Sequence, residues 1–416
     1  MGRLNLRVVD YLQNPGGGER FVEAVLRHLP PDEVELTLVS NGAALDRYVA
    51  LAARIARPIR FIDCQPAEHQ SALRVNGECM VMGGGFFEVP PAILDQADVI
   101  WFPWVHRHLL PLTKLTRVVA TFHDAIMVEF AEMMAAKDNI HGAARRIYLS
   151  AMERYSTGRL LSSQAKLVVD AKRTRDYLSK AYGPLAREPD VVYPSSEHIK
   201  AIAPEPIDHL SLPERFLLYP ANIMPHKNHE CLLMALAKVK AESPDHFLPL
   251  ALSGNATDSI SAPADYRSAY VRALVDHLGL EIGKDLLLLG TLSDGQFRAV
   301  LDRTTALVFP TMGEGYGFPP VEAGLLGVPV ASSNIDIMRE NLDRLRIPAL
   351  WFRPDAVDQL AEILVSLSRD EARLRAAAQA AVPGIADDSW DEVGRRYAAL
   401  FRQQAEFADF HQRYVG

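Results

Sequence analysis

Three cysteines in 416 residues, Cys64, Cys79 and Cys231, are too few and too scattered to frame a disulfide scaffold or a metal site. No uninterrupted apolar run reaches the ~18 residues that a membrane span needs. Positive charge is not in surplus either. The net charge is -8, whereas a dedicated nucleic-acid binder carries a basic excess. The opening Met1-Gly-Arg-Leu-Asn-Leu-Arg7 lacks the apolar core of a secretion signal. With so little cysteine, a reduced, cytoplasmic setting is the expectation.

What is present is ordinary globular material, 49% apolar and 23% charged. A chain of 416 residues exceeds the roughly 250–300 at which one hydrophobic core stops growing, so two domains are expected. Short apolar, β-branched runs alternate with helix-like segments from end to end, the pattern of repeated βαβ units. In the first half, strands are expected at Leu6–Tyr11, Glu35–Val39, Ile59–Ile62, Val99–Phe102, Arg117–Phe122, Leu167–Val169 and Val191–Tyr193. Helical patterns fall at Arg20–His28 and roughly Gly142 to Leu160. From Pro194 to Pro213, prolines and serines break the periodicity and mark a linker. Strand patterns then resume at Phe216–Tyr219, Leu248–Leu252, Leu286–Leu289, Ala306–Phe309, Pro329–Ala331 and Leu350–Phe352. The fold class expected is α/β, with two Rossmann-like, doubly wound domains facing each other across a cleft. Their boundaries are 1–195 and 214–385, followed by an amphipathic segment at 386–416. Ligands bind such sheets at the carboxyl ends of the strands.

The most telling loop is Gly313-Glu-Gly-Tyr-Gly-Phe-Pro-Pro-Val-Glu-Ala-Gly324, between an expected strand and a helix. Its alternating glycines let a ligand approach the main chain. The amides of Gly315, Tyr316, Gly317 and Phe318 at a helix N-terminus suit phosphate oxygens. Glu314 and Glu322 suit hydroxyls, because an ionised carboxylate accepts from two vicinal OH groups. Amides for phosphate beside acids for a polyol point to a sugar nucleotide. In a second loop, Pro220-Ala-Asn-Ile-Met-Pro-His-Lys-Asn-His229, Lys227 is placed to meet a diphosphate with three donors. As a merely solvated residue it sits awkwardly, since a cation disfavours the positive end of a helix. The strand Arg117–Phe122 ends in His123-Asp124, where the ring suits a sugar hydroxyl or a phosphate and Asp124 orients it or caps a helix. Gly16, Gly17 and Gly18 follow the first strand and allow close backbone approach, although such turns are common in α/β folds.

Glu314, Gly315, Tyr316, Gly317, Pro319, Glu322 and Ala323 resemble the E-G-[FY]-G-x-P-x-x-E-A signature of retaining glycosyltransferases of family 4, which have the GT-B architecture. The Lys227 segment resembles that family's donor-binding P-x-K-N turn. The resemblance implies metal-independent hexosyl transfer from a nucleoside diphosphate sugar, with retained anomeric configuration. It implies catalytic roles for His123, Lys227 and Glu314, and the ribose diol for Glu322. It also implies that Gly16, Gly17 and Gly18 line the diphosphate or acceptor, that Gly254 borders the nucleotide, and that the loop with Leu292 presents main-chain atoms to the base. The terminal helix is implied to pack on the first domain. Many members carry an Arg five or six residues before the Lys, where this chain has Ala221 and Asn222. Either Asn222 hydrogen-bonds instead, or another cation supplies the charge.

No Asp-x-Asp pattern occurs, so no metal or other cofactor is expected. The Pro-His-Lys-Asn-His run and the His-Asp pair resemble the mannosyltransferase-like branch of bacterial surface-polysaccharide enzymes. That implies GDP-mannose, with GDP-linked deoxysugars and UDP- or dTDP-sugars behind it, and a glycan or lipid-linked acceptor. Arg145, Arg146, Arg154 and Arg159 suit either an anionic membrane surface at the cytoplasmic face or a solvated helix face. A nucleotide-dependent oxidoreductase needs Gly-x-Gly-x-x-Gly, which the spacing of Gly313, Gly315 and Gly317 does not provide. A catalytically silent sugar-nucleotide-binding partner is the third reading, and the intact Lys227, Glu314, Glu322 and His123 weigh against it.

Overall fold

The computed structural model describes residues 2–11, 17–55, 57–64, 67–75, 78–105, 108–109, 112–136, 140–183, 185, 187–386 and 388–414. Its chain divides into two compact units. The first is Met1–Ala131, Ala144–Ser195 and Ser389–Gly416, and the second is Glu132–Ala143 and Ser196–Asp388.

The first unit contains β1 (Leu4–Val9), β2 (Val34–Ser40), β3 (Ile59–Asp63), β4 (Ala67–Val75), β5 (Glu78–Glu88), β6 (Val99–Phe102), β7 (His108–Leu109), β8 (Val118–Phe122), β9 (Lys166–Val169) and β10 (Asp190–Val191). Seven of them form a parallel sheet in the order β10-β9-β8-β6-β1-β2-β3. Strands β6 and β8 are buried along their whole length. A strand covered on both faces reads as a continuous apolar run, and this made them legible. A separate three-stranded sheet, β4-β5-β7, was not anticipated. Strand β4 begins Ala-Glu-His-Gln-Ser, without apolar alternation, and β5 contains Gly83-Gly84-Gly85, a run that weakens any strand pattern.

Helix Trp390–Tyr414 belongs to this first unit. Tyr397 and Phe401 pack on Trp101, with ring centroids 5.3 and 5.6 Å away. The Trp101 indole donates to the Thr121 hydroxyl at 3.0 Å, and that hydroxyl lies 3.0 Å from the Tyr397 hydroxyl. Gln404 donates to the Thr116 and Gln164 carbonyls. Gly394 sits so close to helix Gly17–His28 that a Cβ there would lie 2.2 Å from the His28 carbonyl oxygen. Only glycine fits.

The second unit contains β11 (Leu217–Pro220), β12 (Leu250–Ser253), β13 (Leu286–Gly290), β14 (Ala306–Phe309), β15 (Val330–Ser333) and β16 (Ala349–Phe352), all parallel in the order β13-β12-β11-β14-β15-β16. The proline-rich segment after Ser195 is docked on this unit. Glu205 N donates to the Gly295 carbonyl, Ser293 Oγ donates to Glu205, and Arg298 reaches the Ile199 carbonyl at 2.8 Å. No helix among the described residues is long and apolar enough to cross a membrane.

Both large sheets reverse their strand order once, between β1 and β6 in the first and between β11 and β14 in the second. At such a reversal the loops on neighbouring strands diverge and leave a crevice at the carboxyl edge.

Candidate active site

Lys227 and Glu314 flank the reversal in the second unit. Strand β11 delivers the chain through Pro220 to a short 3-10 turn, Pro225–Lys227. Asn228 then adopts a left-handed conformation, φ 58°, before helix His229–Glu242. Asparagine tolerates that region better than most residues, and here its side chain adds compensation. Its Nδ2 donates to the Pro310 carbonyl at 3.0 Å and the Pro354 carbonyl at 2.7 Å. From the other side, Met312 N donates to the His226 carbonyl, and Ser333 Oγ donates to the Thr311 carbonyl. The two loops are thereby fixed together. Lys227 Nζ lies 2.6 Å from Glu314 Oε1, with side chains 15% and 9% exposed, and 5.9 Å from the centre of the Phe309 ring. An ammonium has three donors, so pairing with one oxygen leaves it capacity for an anion.

Helix Phe318–Leu325 begins after Gly317, which has φ 83°. A Cβ there would lie 2.7 Å from the Met338 sulfur, so both conformation and space call for glycine. Pro319 and Pro320 carry no N–H, so the first turn is poorer in donors than an ordinary helix N-terminus. The main-chain donors expected for an anion on this loop are thus the amides of Gly315, Tyr316, Gly317 and Phe318. Asn341 Nδ2 holds the Tyr316 carbonyl at 2.6 Å, and Arg344 contacts the Tyr316 hydroxyl at 3.3 Å. Glu322 is buried, 1% exposed, and His198 Nε2 lies 3.3 Å from its Oε1.

Three other expected residues lie on neighbouring loops at the same edge. Gly254, φ 129°, presses on the backbone after β11, since a Cβ would lie 2.8 Å from the Ala221 carbonyl carbon. Its N–H donates to the Gly290 carbonyl at 2.7 Å. Asn222 accepts from Met224 N at 3.2 Å and closes an Asx turn. Leu292 is half-buried after β13, at the far side of the sheet from β14.

In the first unit, Gly16 lies outside the described residues, whereas Gly17 and Gly18 form the start of helix Gly17–His28. His123 is buried, packed between Phe21 and Trp104. Its partner is not the adjacent Asp124, which instead accepts from Ile126 N at 3.0 Å and closes an Asx turn before the short helix Ile126–Glu129. The His123 Nδ1 lies 2.6 Å from Asp170 Oδ2, and its Nε2 lies 2.7 Å from the Pro103 carbonyl. Contact with a sugar hydroxyl therefore requires the Pro103 bond to be exchanged. Burial pushes the Asp170 carboxyl above its ordinary pKa, against the opposing effect of His123.

Several residues around the site carried no readable signal. Asp170 is a lone acid at a strand end. Arg267, buried on helix Tyr266–His277, donates from Nε to the Ile223 carbonyl at 2.7 Å and from Nη1 to Glu230 Oε1 at 2.8 Å. His229, 1% exposed, stands against Tyr219, and its pKa is depressed to about 3, first by burial and then by Arg267, with Lys227 adding a smaller push.

Two parallel-sheet, Rossmann-like units define the fold class of GT-B glycosyltransferases. Residues 206–382, inside the second unit, match the family model Glycosyl transferases group 1. The chain is 28% identical over 200 residues to the serotype-specific mannosyltransferase WbdA of Escherichia coli, covering 47% of this chain and 22% of that one. It is 32% identical over 91 residues to the O-antigen chain mannosyltransferase RfbU of Salmonella typhimurium, covering 22% and 24%. The matched stretches thus span less than a quarter of either relative. In fold, the chain is similar to Anabaena Alr3699/HepE, solved with UDP and glucose, at a TM-score of 0.67 and 15% identity over 96% of this chain and 100% of that one.

Proposed function

We propose that this protein is a retaining glycosyltransferase that moves mannose from GDP-mannose to a glycan or lipid-linked acceptor in the biosynthesis of a surface polysaccharide. The observation that carries the reading is the Lys227–Glu314 pair, 2.6 Å apart at the strand-order reversal of a glycosyltransferase group 1 domain. Mannose is suggested by the names of WbdA and RfbU. HepE, solved with UDP and glucose, supplies the second reading, a UDP-sugar donor.

In this mechanism the diphosphate gains negative charge as the anomeric bond breaks. Lys227, held by Glu314, and the amides of Gly315 to Phe318 stabilise that charge in a preorganised site. Glu314 takes donor-sugar hydroxyls while Glu322 takes the ribose diol, displacing or sharing His198. The departing phosphate oxygen accepts the proton of the acceptor hydroxyl, so no side chain acts as base. No metal is required, and transfer unchanged by EDTA is the expected result. Helix Ile140–Leu161, with exposed Ile147 and Tyr155 and with Arg159 against the Tyr155 ring, is the proposed contact with an anionic membrane carrying the acceptor. Failure to float with anionic vesicles would remove that contact.

The deciding experiment is a thermal-shift screen of GDP-, UDP- and dTDP-sugars. A ligand that binds only the folded state stabilises it by RT ln(1 + [L]/Kd), about 2.7 kcal/mol at a hundredfold excess over Kd. GDP-mannose should raise the melting temperature most. A larger shift with a UDP-sugar replaces the donor but keeps the reaction, and a flat response to every sugar nucleotide overturns the reading.

A further inference from the structure

The loop that brings Lys227 to the site holds no second cation of its own, yet a guanidinium is built in against its inner side. Arg267 reaches this loop from helix Tyr266–His277. It is 9% exposed. Its Nε donates to the Ile223 carbonyl, in the middle of the loop, and its Nη1 pairs with Glu230 in the first turn of the helix that follows Lys227. Its Cζ stands 5.2 Å from the centre of the Tyr270 ring, and Nη2 makes no hydrogen bond among the described residues. One planar group thus grips the loop both before and after Lys227. A fork of this kind fixes direction as well as distance, which an ammonium cannot do.

We propose that Arg267 is the positioning residue of the phosphate-binding loop, holding the Asn222–Lys227 turn through Ile223 and Glu230 so that Lys227 is aimed at the diphosphate. The inference rests on the sugar-nucleotide reading above and deepens it. Arg267 touches no substrate. It places a guanidinium beneath a loop in which Ala221 and Asn222 carry no charge. Glu230 balances that charge locally, so the main effect is on the aim and preorganisation of Lys227. His229 stands within the field of both cations, and its neutral ring adds no charge that would compete.

A buried ion pair can often be replaced by apolar residues of similar volume without loss of stability, which allows its positioning role to be isolated. The test compares GDP with GMP, and UDP with UMP, by calorimetry in the wild type, Lys227→Met and the double variant Arg267→Met/Glu230→Met. The expected result is a melting temperature within a few degrees of wild type in the double variant. Its affinity for the nucleoside diphosphate should fall about tenfold, with the matching monophosphate bound as before. Arg267→Lys, which keeps the charge but loses the fork, covers the case of a double variant that does not fold, and should weaken the diphosphate at least threefold.

If Lys227→Met loses the preference for diphosphate while the folded Arg267 variants keep it in full, the role of Arg267 is overturned and the donor reading stands. If neither nucleoside diphosphate binds the wild type, the donor reading itself falls. Equal weakening of mono- and diphosphate in the Arg267 variants means a merely structural residue and also overturns the inference.

Discussion

At the strand reversal of the second sheet, the polar groups form a pair that can open. Lys227 and Glu314 meet across two different loops, and the ammonium retains donors beyond the one Glu314 takes. Near the corresponding edge of the first sheet, polar groups are committed to the protein itself. Tyr48 donates to the buried Asp10 at the end of β1, and His123 is held by Asp170 on one side and the Pro103 carbonyl on the other. The same topology therefore supports two different uses. At one edge Lys227 keeps donors to spare, whereas at the other Asp10 and His123 are already bonded within the unit. This agrees with the family match falling wholly on the second unit.

The sharpest break of that contrast is Lys227→Met. Losing one preorganised charge that meets the leaving group typically lowers the rate by about 10²–10³-fold. Under the proposed reaction, glycosyl transfer should fall by that factor while the melting temperature holds, and a loss smaller than tenfold would erase the distinction between the two edges.

Next come the glycines that set each unit's packing. Gly317→Ala forces a side chain into φ 83° and against the Met338 sulfur, while Gly394→Ala drives a Cβ into the His28 carbonyl. Overpacking of this kind costs about 1–3 kcal/mol. Both variants should unfold at lower denaturant, but only Gly317→Ala should also weaken nucleotide binding. Equal weakening in both would mean that binding depends on overall stability rather than on the second unit's loop.

A third effect is a pH dependence. His229 has its pKa lowered from 6.5 to about 3, so the folded state binds fewer protons than the unfolded state below pH 6.5. The stabilising contribution is complete above that value and is lost as pH falls toward 3. Each pH unit in this window removes about 1.4 kcal/mol, or about 2 kcal/mol from pH 6.5 to 5. Denaturation of His229→Leu at both pH values should show a shallower slope, and an unchanged slope would assign the acid sensitivity to another group.

The smallest effect is expected at Asp170, whose raised pKa has the opposite consequence. Its contribution is present below the ordinary Asp range and fades as pH rises through the raised value. Asp170→Asn should flatten stability at that end, and His123 ring shifts in NMR spectra should move with it. Unchanged ring shifts would break the link between the two side chains.

Much of this was legible because buried parallel strands are short, apolar and β-branched. Val99–Phe102 and Ala306–Phe309 were located to the residue. The loop from Glu314 to Glu322 was legible because its glycines and acids are adjacent in sequence. What stayed hidden was assembled across distance. Asp170 meets His123 from 47 residues away, and Arg267 meets Ile223 from 44. Neither carries a local pattern, since a single acid or arginine looks the same whether it is solvated or buried against a loop. The adjacent Asp124 was open in sequence to two roles, orienting the ring or capping a helix, and it accepts from Ile126 N in a local turn instead of meeting the ring.

The seating of Gly394 on the His28 carbonyl has a practical consequence for anyone dissecting the molecule. A fragment truncated after Ser195 would uncover Trp101 and Phe21, whose rings are otherwise roofed by Tyr397 and Phe401. Expression of the first unit alone calls for a permuted gene in which the segment from Ser389 onward is stitched back to the amino-terminal portion.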